Sequence, residues 1–132
     1  GMGSAFEKLL EPQEGPLDLE VIRILHDLVL QVYQLTEKYP EEERFGLVAQ
    51  FRRSAASIPT NIIEGRNRHS TKEFVHQLYI ARGSLAETQY HLLLSRDLGY
   101  LNEMVYAAIS AEYARAGQML NGLIKSLKKP RR

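Results

Sequence analysis

Apolar residues recur every three or four positions along most of the chain, which is the period of an amphipathic α-helix. No segment alternates apolar and polar residues as a half-buried strand does. The pattern therefore predicts four long helices. Their core-facing positions are, in chain order, Leu19, Ile22, Leu25, Val29, Val32 and Leu35 or Thr36; Leu47, Phe51, Ala55, Ile58 and Ile62; Phe74, Leu78, Ala81, Leu85, Thr88 and Leu92; and Val105, Ile109, Ala116, Leu120, Leu123 and Leu127.

Capping residues and proline mark where these helices begin and end. Asp18 is the predicted N-cap of the first helix, and Pro40 ends it because the residue before a proline is driven out of the α conformation. Ser70 and Glu73 form a capping box that opens the third helix. Gly99 closes the third helix, and an asparagine three residues later can cap the fourth.

The second helix is predicted from about Arg44 to Glu64, with Gly65 as its C′ residue. Pro59 removes a backbone hydrogen bond inside this helix, so we expect a kink there. Short connections make neighbouring helices antiparallel, which predicts an all-α, up-down-up-down four-helix bundle over residues 16–127. We expect residues 1–15 to form a flexible N-terminal arm and residues 128–132 a basic C-terminal tail.

The second and fourth helices lack the charged outer face that is usual for a helix on the surface of a monomer. Alanine is a good helix former, which accounts for some of these positions. We predict that identical copies of the chain cover both faces. The residues concerned are Ala49, Arg53, Ala56, Ser57 and Thr60 on the second helix, and Ala107, Ala111 and Ala114 on the fourth.

The composition fits one globular domain, since 44% of the 132 residues are hydrophobic and 25% are charged. The longest uncharged run has ten residues, Ser54–Ile63, whereas a membrane-spanning helix needs about 20. No signal-peptide pattern is present, and the chain has no cysteine. We therefore expect a cytoplasmic protein that does not span a membrane.

Charge is divided unevenly along the chain. Residues 1–43 hold ten acidic and three basic residues, and residues 44–132 hold six acidic and fourteen basic ones. In an antiparallel bundle, the turn between the second and third helices lies at the same end as the C-terminal tail. Basic residues near this turn and in the tail would therefore lie close together and could bind phosphate groups of RNA or DNA. The candidates are Arg52, Arg53, Arg66, Arg68, Lys72, Lys125, Lys128, Lys129, Arg131 and Arg132.

Two other interpretations of this charge remain open. The basic residues could be solvated helix ends, or they could meet an acidic protein partner or the acidic part of a neighbouring copy. The seven tyrosines show no motif for stacking on nucleic-acid bases.

Catalytic and metal-binding patterns are weak. Glu73 and His76 form a Glu-x-x-His element, but a di-iron bundle needs a second such element on another helix, and the chain has none. Glycine-rich phosphate loops and nucleophile elbows are also missing. The serines and His26 have simpler explanations as helix, cap or core residues. We predict a non-enzymatic protein without metal or cofactor.

Several motifs within about residues 20–125 match those of one known family. They are Tyr39-Pro40, Phe45-Gly46-Leu47, Gln50-Phe51-Arg52-Arg53, Ser57-Ile58-Pro59-Thr60-Asn61-Ile62-Ile63-Glu64-Gly65, Phe74, Ile80-Ala81-Arg82-Gly83-Ser84-Leu85-Ala86-Glu87 and Leu98-Gly99-Tyr100. In these motifs the chain resembles the bacterial S23, or 23S rRNA intervening-sequence, family of four-helix bundle proteins.

This resemblance implies a protein whose biochemical role is poorly defined. The family includes accessory proteins of diversity-generating retroelements, which form homopentamers with a basic surface and act with a reverse transcriptase and nucleic acid. It implies such partners here, with a protein-interaction scaffold as the alternative. The motifs also suggest that Asn61, Glu64, Arg82 and Glu87 make polar contacts within or between subunits, including a pairing of Arg82 with Glu64 or Glu87.

Overall fold

The computed structural model describes residues 2–10 and 16–130 of the chain. Arg131, Arg132 and residues 11–15 of the predicted arm lie outside the described residues. The described residues form five α-helices and one 3-10 turn and contain no strand. The helices are α1 (Met2–Leu10), α2 (Pro16–Thr36), α3 (Leu47–Arg66), α4 (Thr71–Asp97) and α5 (Glu103–Lys128), with the 3-10 turn at Glu41–Glu43 between α2 and α3.

The four long helices form the predicted antiparallel bundle. Helix α2 packs against α3 and α5, and α4 packs against the same two helices. Contacts between the end of one helix and the start of another show that these neighbours are antiparallel. Arg66 at the end of α3 donates a hydrogen bond to Asp18 near the start of α2. Likewise, Arg96 near the end of α4 lies over the ring of Tyr106 near the start of α5. The all-α prediction is confirmed.

Helix α1 was not expected from the sequence, which predicted a flexible arm. Phe6 stacks on His26 of α2 with 4.5 Å between ring centroids, and Arg23 pairs with Glu7. Leu10 is buried. Nine residues are too few to make a stable helix alone, so contact with α2 supplies the stability that the local sequence lacks.

The hydrophobic core largely follows the predicted faces. All five predicted core positions of α3 are buried, and on α4 all but Phe74 are buried. On α2 the buried face is shifted, because Val21 and Leu28 are fully buried while Leu19 and Val29 are half-buried. Helix α1 packs on α2 as well, so apolar residues lie on more than one side of α2.

The predicted caps of α4 and α5 are confirmed. The Ser70 hydroxyl accepts a hydrogen bond from the Glu73 amide at 3.1 Å, and Asn102 accepts one from the Val105 amide at 2.8 Å. Gly99 ends α4 with a φ of 84°, a conformation that glycine adopts without strain.

Two predicted helix ends are wrong. Helix α2 begins at Pro16, before Asp18, and Asp18 is buried against α3 instead of capping. Helix α3 continues through Gly65 to Arg66. A Cβ atom on Gly65 would lie 2.8 Å from Phe74 Cδ1, so this glycine permits close packing of α3 and α4.

Pro59 lies inside α3, which is assigned as one continuous helix. The kink at Pro59 stays a prediction. None of the helices in the part of the chain that the structure describes is both long enough and apolar enough to cross a membrane.

Candidate nucleic-acid interface

A groove rich in basic side chains lies between α4 and α5, near the point where α5 finishes. Helices α2 and α4 begin at this end of the bundle and α3 finishes there too; we call it the basic end. The groove has a volume of about 520 Å³. Four of its seven lining residues are basic and none is acidic: Arg82, Asn121, Ile124, Lys125, Lys128, Lys129 and Pro130. Such a lining attracts anions.

Tyr79 on α4 contacts two cations of this basic groove. Lys128 Nζ donates a hydrogen bond to the Tyr79 hydroxyl at 2.9 Å, and the Arg82 guanidinium lies 4.8 Å from the ring centroid. The hydrogen bond from Lys128 lowers the pKa of the Tyr79 phenol. The tyrosine is 37% exposed, so an accessible aromatic ring lies beside the groove. Its i, i+3 spacing from Arg82 was visible in the sequence, but the contact with Lys128 depends on the packing of α4 and α5.

Arg82 lines this groove and also makes a polar contact within the subunit, the kind of contact that the family motifs suggest for it. Its Nη1 atom donates a hydrogen bond to Asn121 Oδ1 on α5 at 3.1 Å. Because α4 lies between α3 and α5, a side chain that reaches α5 points away from Glu64 on α3. Glu87 lies about 140° further round α4 at 100° per residue. Within one chain Arg82 therefore pairs with neither Glu64 nor Glu87 in the described residues, and a pairing between subunits stays a prediction.

A second basic cluster lies at the turn between α3 and α4. A groove of about 380 Å³ is lined by Arg68, Lys72, Glu73, His76 and Gln77. Arg68 pairs with Glu64 on the surface at 2.7 Å, which offsets part of its charge. Lys72, His76 and Tyr79 follow at helical spacing along the exposed side of α4, so they connect this cluster to the basic groove.

Arg66, a predicted phosphate ligand, is buried inside the bundle. Its Nε atom donates to Asp18 Oδ2 at 2.6 Å, and Nη1 donates to the Leu10 carbonyl at 3.3 Å. Only 2% of the Arg66 side chain is exposed. The guanidinium joins α1, α2 and α3 and is not accessible to a phosphate group, which removes it from the predicted contact set.

The adjacent arginines Arg52 and Arg53 have different environments. Arg52 donates hydrogen bonds to Thr36 Oγ1 at 2.8 Å and to the Tyr33 carbonyl at 3.2 Å, at the end of α2 far from the basic end. It therefore stabilises the α2–α3 contact and does not join the basic groove. Arg53 is exposed on the outer side of α3 and forms no hydrogen bond or ion pair with the described residues.

The remaining polar residues suggested by the family motifs make mostly local contacts. Asn61 Nδ2 donates to the Ser57 carbonyl at 2.7 Å within α3. Glu64 pairs with Arg68 and accepts a 3.5 Å hydrogen bond from Gln77 Nε2 of α4. Glu87 is exposed and forms neither a hydrogen bond nor an ion pair in the described part of the chain.

A polar cluster that includes a serine and a histidine lies between α3 and α4. Ser54 Oγ is 3.1 Å from His91 Nδ1, and the Thr88 hydroxyl donates to Ser54 Oγ at 2.9 Å. Burial lowers the pKa of His91, although the nearby Glu87 carboxylate acts in the opposite direction. Because Ser54 is only 3% exposed, this contact serves packing between the helices and is not open to a substrate.

The Glu-x-x-His element of α4 makes no metal centre in the described ranges. No three His, Asp or Glu side chains converge there in a way that could hold a metal ion. His76 is exposed at the second basic cluster, and Glu73 accepts a 3.3 Å hydrogen bond from the Ser70 hydroxyl.

Comparison with known proteins agrees with the fold and the motifs. One solved structure, at 1.70 Å resolution, is of a protein of unknown function from the S23 ribosomal protein family of Bacteroides thetaiotaomicron VPI-5482. It is 26% identical, covers 83% of this chain and 98% of its own, and superposes with a TM-score of 0.76. No curated protein matches the chain. The family model described as 23S rRNA-intervening sequence protein matches residues 17–122, and the chain therefore belongs to this family.

Proposed function

We propose that this protein is a non-enzymatic, cytoplasmic homo-oligomer that associates with RNA or DNA through the basic groove, without a cofactor. The observation that carries the proposal is the lining of that groove, where Arg82, Lys125, Lys128 and Lys129 lie together with no carboxylate. A polyanion gains affinity at such a site by releasing its bound counterions.

The groove offers chemically distinct contacts to a nucleic acid. The three lysines supply mobile point charges to phosphate oxygens, and the Arg82 guanidinium supplies a planar set of donors. Asn121 adds an amide that can bond to a sugar or base edge. The neighbouring Tyr79 ring provides apolar surface for a base in a single strand.

Acidic residues at the opposite end of the bundle favour binding of a nucleic acid at the basic end. The 3-10 turn there consists of Glu41, Glu42 and Glu43, and Glu103 begins α5 at the same end. Glu41 pairs with Arg44 at 3.4 Å and Glu103 lies 3.9 Å from Arg96, whereas Glu43 accepts a hydrogen bond from the neutral Tyr100 hydroxyl at 2.7 Å. Glu42 and Glu43 have no ion-pair partner in the described residues, and their carboxylates repel phosphate, which favours the basic end for a nucleic acid.

Self-association is supported by the outer faces of the long helices. Ala107, Ala111 and Ala114 of α5 are exposed in the single chain, and Met104 at the start of the same face is 84% exposed. A face of this kind usually packs against another protein surface. The family resemblance suggests five subunits, and light scattering measures that number directly.

Binding to RNA and duplex DNA at several salt concentrations tests the nucleic-acid proposal. For the wild type we expect affinity that falls steeply with salt. In the Lys125→Gln/Lys128→Gln variant, the slope of log K against log salt should decrease by about 0.7–0.9 for each lost phosphate contact. A Lys38→Gln/Arg44→Gln variant at the opposite end is the matched control and should bind as the wild type does.

A protein-interaction scaffold is the second candidate function. Phe45, 87% exposed at the end opposite the basic groove, favours it. Weak affinity for both nucleic acids at every salt concentration, with no difference between the two double variants, would support the scaffold and contradict nucleic-acid binding.

A further inference from the structure

The glycines inside α3, α4 and α5 fall into two kinds. A Cβ atom added to Gly65 would lie 2.8 Å from Phe74, and one added to Gly117 would lie 3.0 Å from Leu85, so both glycines lie in close contact with a neighbouring helix of the same chain. A Cβ atom on Gly83 or Gly122 would meet nothing within 4 Å. Glycine destabilises a helix interior, and packing inside the chain gives no reason for it at these two positions.

Gly83 lies in the middle of an exposed stripe on α4. Ile80, Gly83, Glu87 and Tyr90 follow at intervals of three and four residues and therefore share one side of the helix; we call them the α4 stripe. Ile80 is 42% exposed and Tyr90 is 58% exposed. Glu87 stands between them without an ion pair in the described residues. The α4 stripe thus combines two large apolar side chains, one carboxylate and, at Gly83, a position without a side chain.

The neighbouring helix carries a stripe with the opposite character. Ala49, Arg53, Ala56 and Thr60 lie on the outer side of α3 at intervals of four and three residues, and we call them the α3 stripe. Three of these side chains are small. Arg53 is the single charge, is exposed, and has no ion-pair partner in residues 2–10 and 16–130.

We propose that the α4 stripe of one copy packs against the α3 stripe of a second copy, with Glu87 of one facing Arg53 of the other. The inference rests on the self-association in the proposed function and names the surface that forms it. Large side chains of the α4 stripe meet small ones of the α3 stripe, and Gly83 lets the two helix backbones approach closely. Each unpaired charge gains a partner of opposite sign.

The character of the two stripes favours a second copy over other occupants. A nucleic acid would be repelled by Glu87 and would leave the aliphatic side chain of Ile80 without an apolar partner. Both complementary surfaces are present on the same chain, on neighbouring helices, so one type of contact can be repeated from copy to copy.

Charge reversal with light scattering tests this contact. Arg53→Glu or Glu87→Arg alone places like charges opposite each other, and each should weaken association by about tenfold or more. The combined Arg53→Glu/Glu87→Arg variant restores opposite charges and should recover most of the wild-type association. Arg44→Glu, outside both stripes, is the control and should leave the mass unchanged.

A second variant tests the close approach independently of charge. Gly83→Gln adds a side chain with high helix propensity, so the chain should fold at least as well by circular dichroism while association weakens. Gly122→Gln is the matched control outside the α4 stripe.

The outcomes separate this surface from self-association in general. A wild type that stays at 15.1 kDa at every concentration overturns both. An associating wild type whose mass is unaffected by Arg53→Glu, Glu87→Arg and Gly83→Gln overturns only the assigned stripes. Loss of RNA binding in Arg53→Glu without a change in mass would make nucleic acid the occupant of the α3 stripe instead.

Discussion

Replacing Asp18 should strongly destabilise the protein, because this carboxylate balances the buried charge of Arg66. The two side chains are 4% and 2% exposed and are joined by a 2.6 Å hydrogen bond. In an Asp18→Asn variant the guanidinium stays buried without a counter-charge, and its Nη2 atom already has no hydrogen-bond partner among the described residues. Removing one member of a buried ion pair costs about 3–5 kcal/mol.

This loss is large compared with the whole stability of a small domain, which is about 5–15 kcal/mol. With about 3–5 °C per kcal/mol for a chain of this size, the midpoint of thermal unfolding should fall by about 10–20 °C. Urea unfolding followed by circular dichroism at constant pH measures the free energy of unfolding directly.

Two variants control for other causes of this loss. Glu64→Gln breaks the ion pair between Glu64 and Arg68, which is also an arginine–carboxylate pair with a short distance of 2.7 Å but lies exposed on the surface. This variant should lose less than about 1 kcal/mol of unfolding free energy. Asp18→Leu/Arg66→Met removes both buried charges and should recover most of the loss. A cost below about 1 kcal/mol for Asp18→Asn would refute the view that Arg66 is a structural residue.

Two further predictions concern the contact between α3 and α4. Gly65→Ala should lose about 1–3 kcal/mol in urea unfolding through overpacking against Phe74, whereas Gly122→Ala should gain up to about 1 kcal/mol from helix propensity; a gain for both would contradict the packing role. Burial lowers the pKa of His91, so the folded state favours the neutral imidazole ring. The stability that comes from keeping this ring neutral is fully present above about pH 6.5, the pKa of an unfolded histidine, and is lost as the pH falls through the lower pKa of the folded state. His91→Gln should flatten that part of the stability–pH curve, and an unchanged slope would contradict the assignment.

Local sequence patterns predicted most of the fold. Helical periodicity identified the four long helices, and nearly all of the core positions that it predicted on α3 and α4 are buried. The caps at Ser70 and Asn102 and the turn at Gly99 were also correct. These features depend on hydrogen bonds and backbone preferences that span only a few residues, so a single sequence contains the information for them.

The candidate site was predicted only in part. The run Lys125, Lys128 and Lys129 was recognised as basic, and the structure places it in one groove. Arg82 was expected to make a polar contact but was not placed in the groove, and Tyr79 was not identified, because both roles depend on which side of α4 faces α5. The burial of Arg66 could not be inferred, since an arginine at a helix end is usually exposed.

The sequence by itself determined that this chain is helical, where the long helices run and which of their sides are apolar, because each of these properties follows from spacing along the chain. Only the tertiary structure decided that α1 is a helix, that Gly65 serves packing, and which arginines are buried in ion pairs and which line a groove. Those outcomes depend on the distance between side chains on different helices, and that distance is set by how the whole bundle packs.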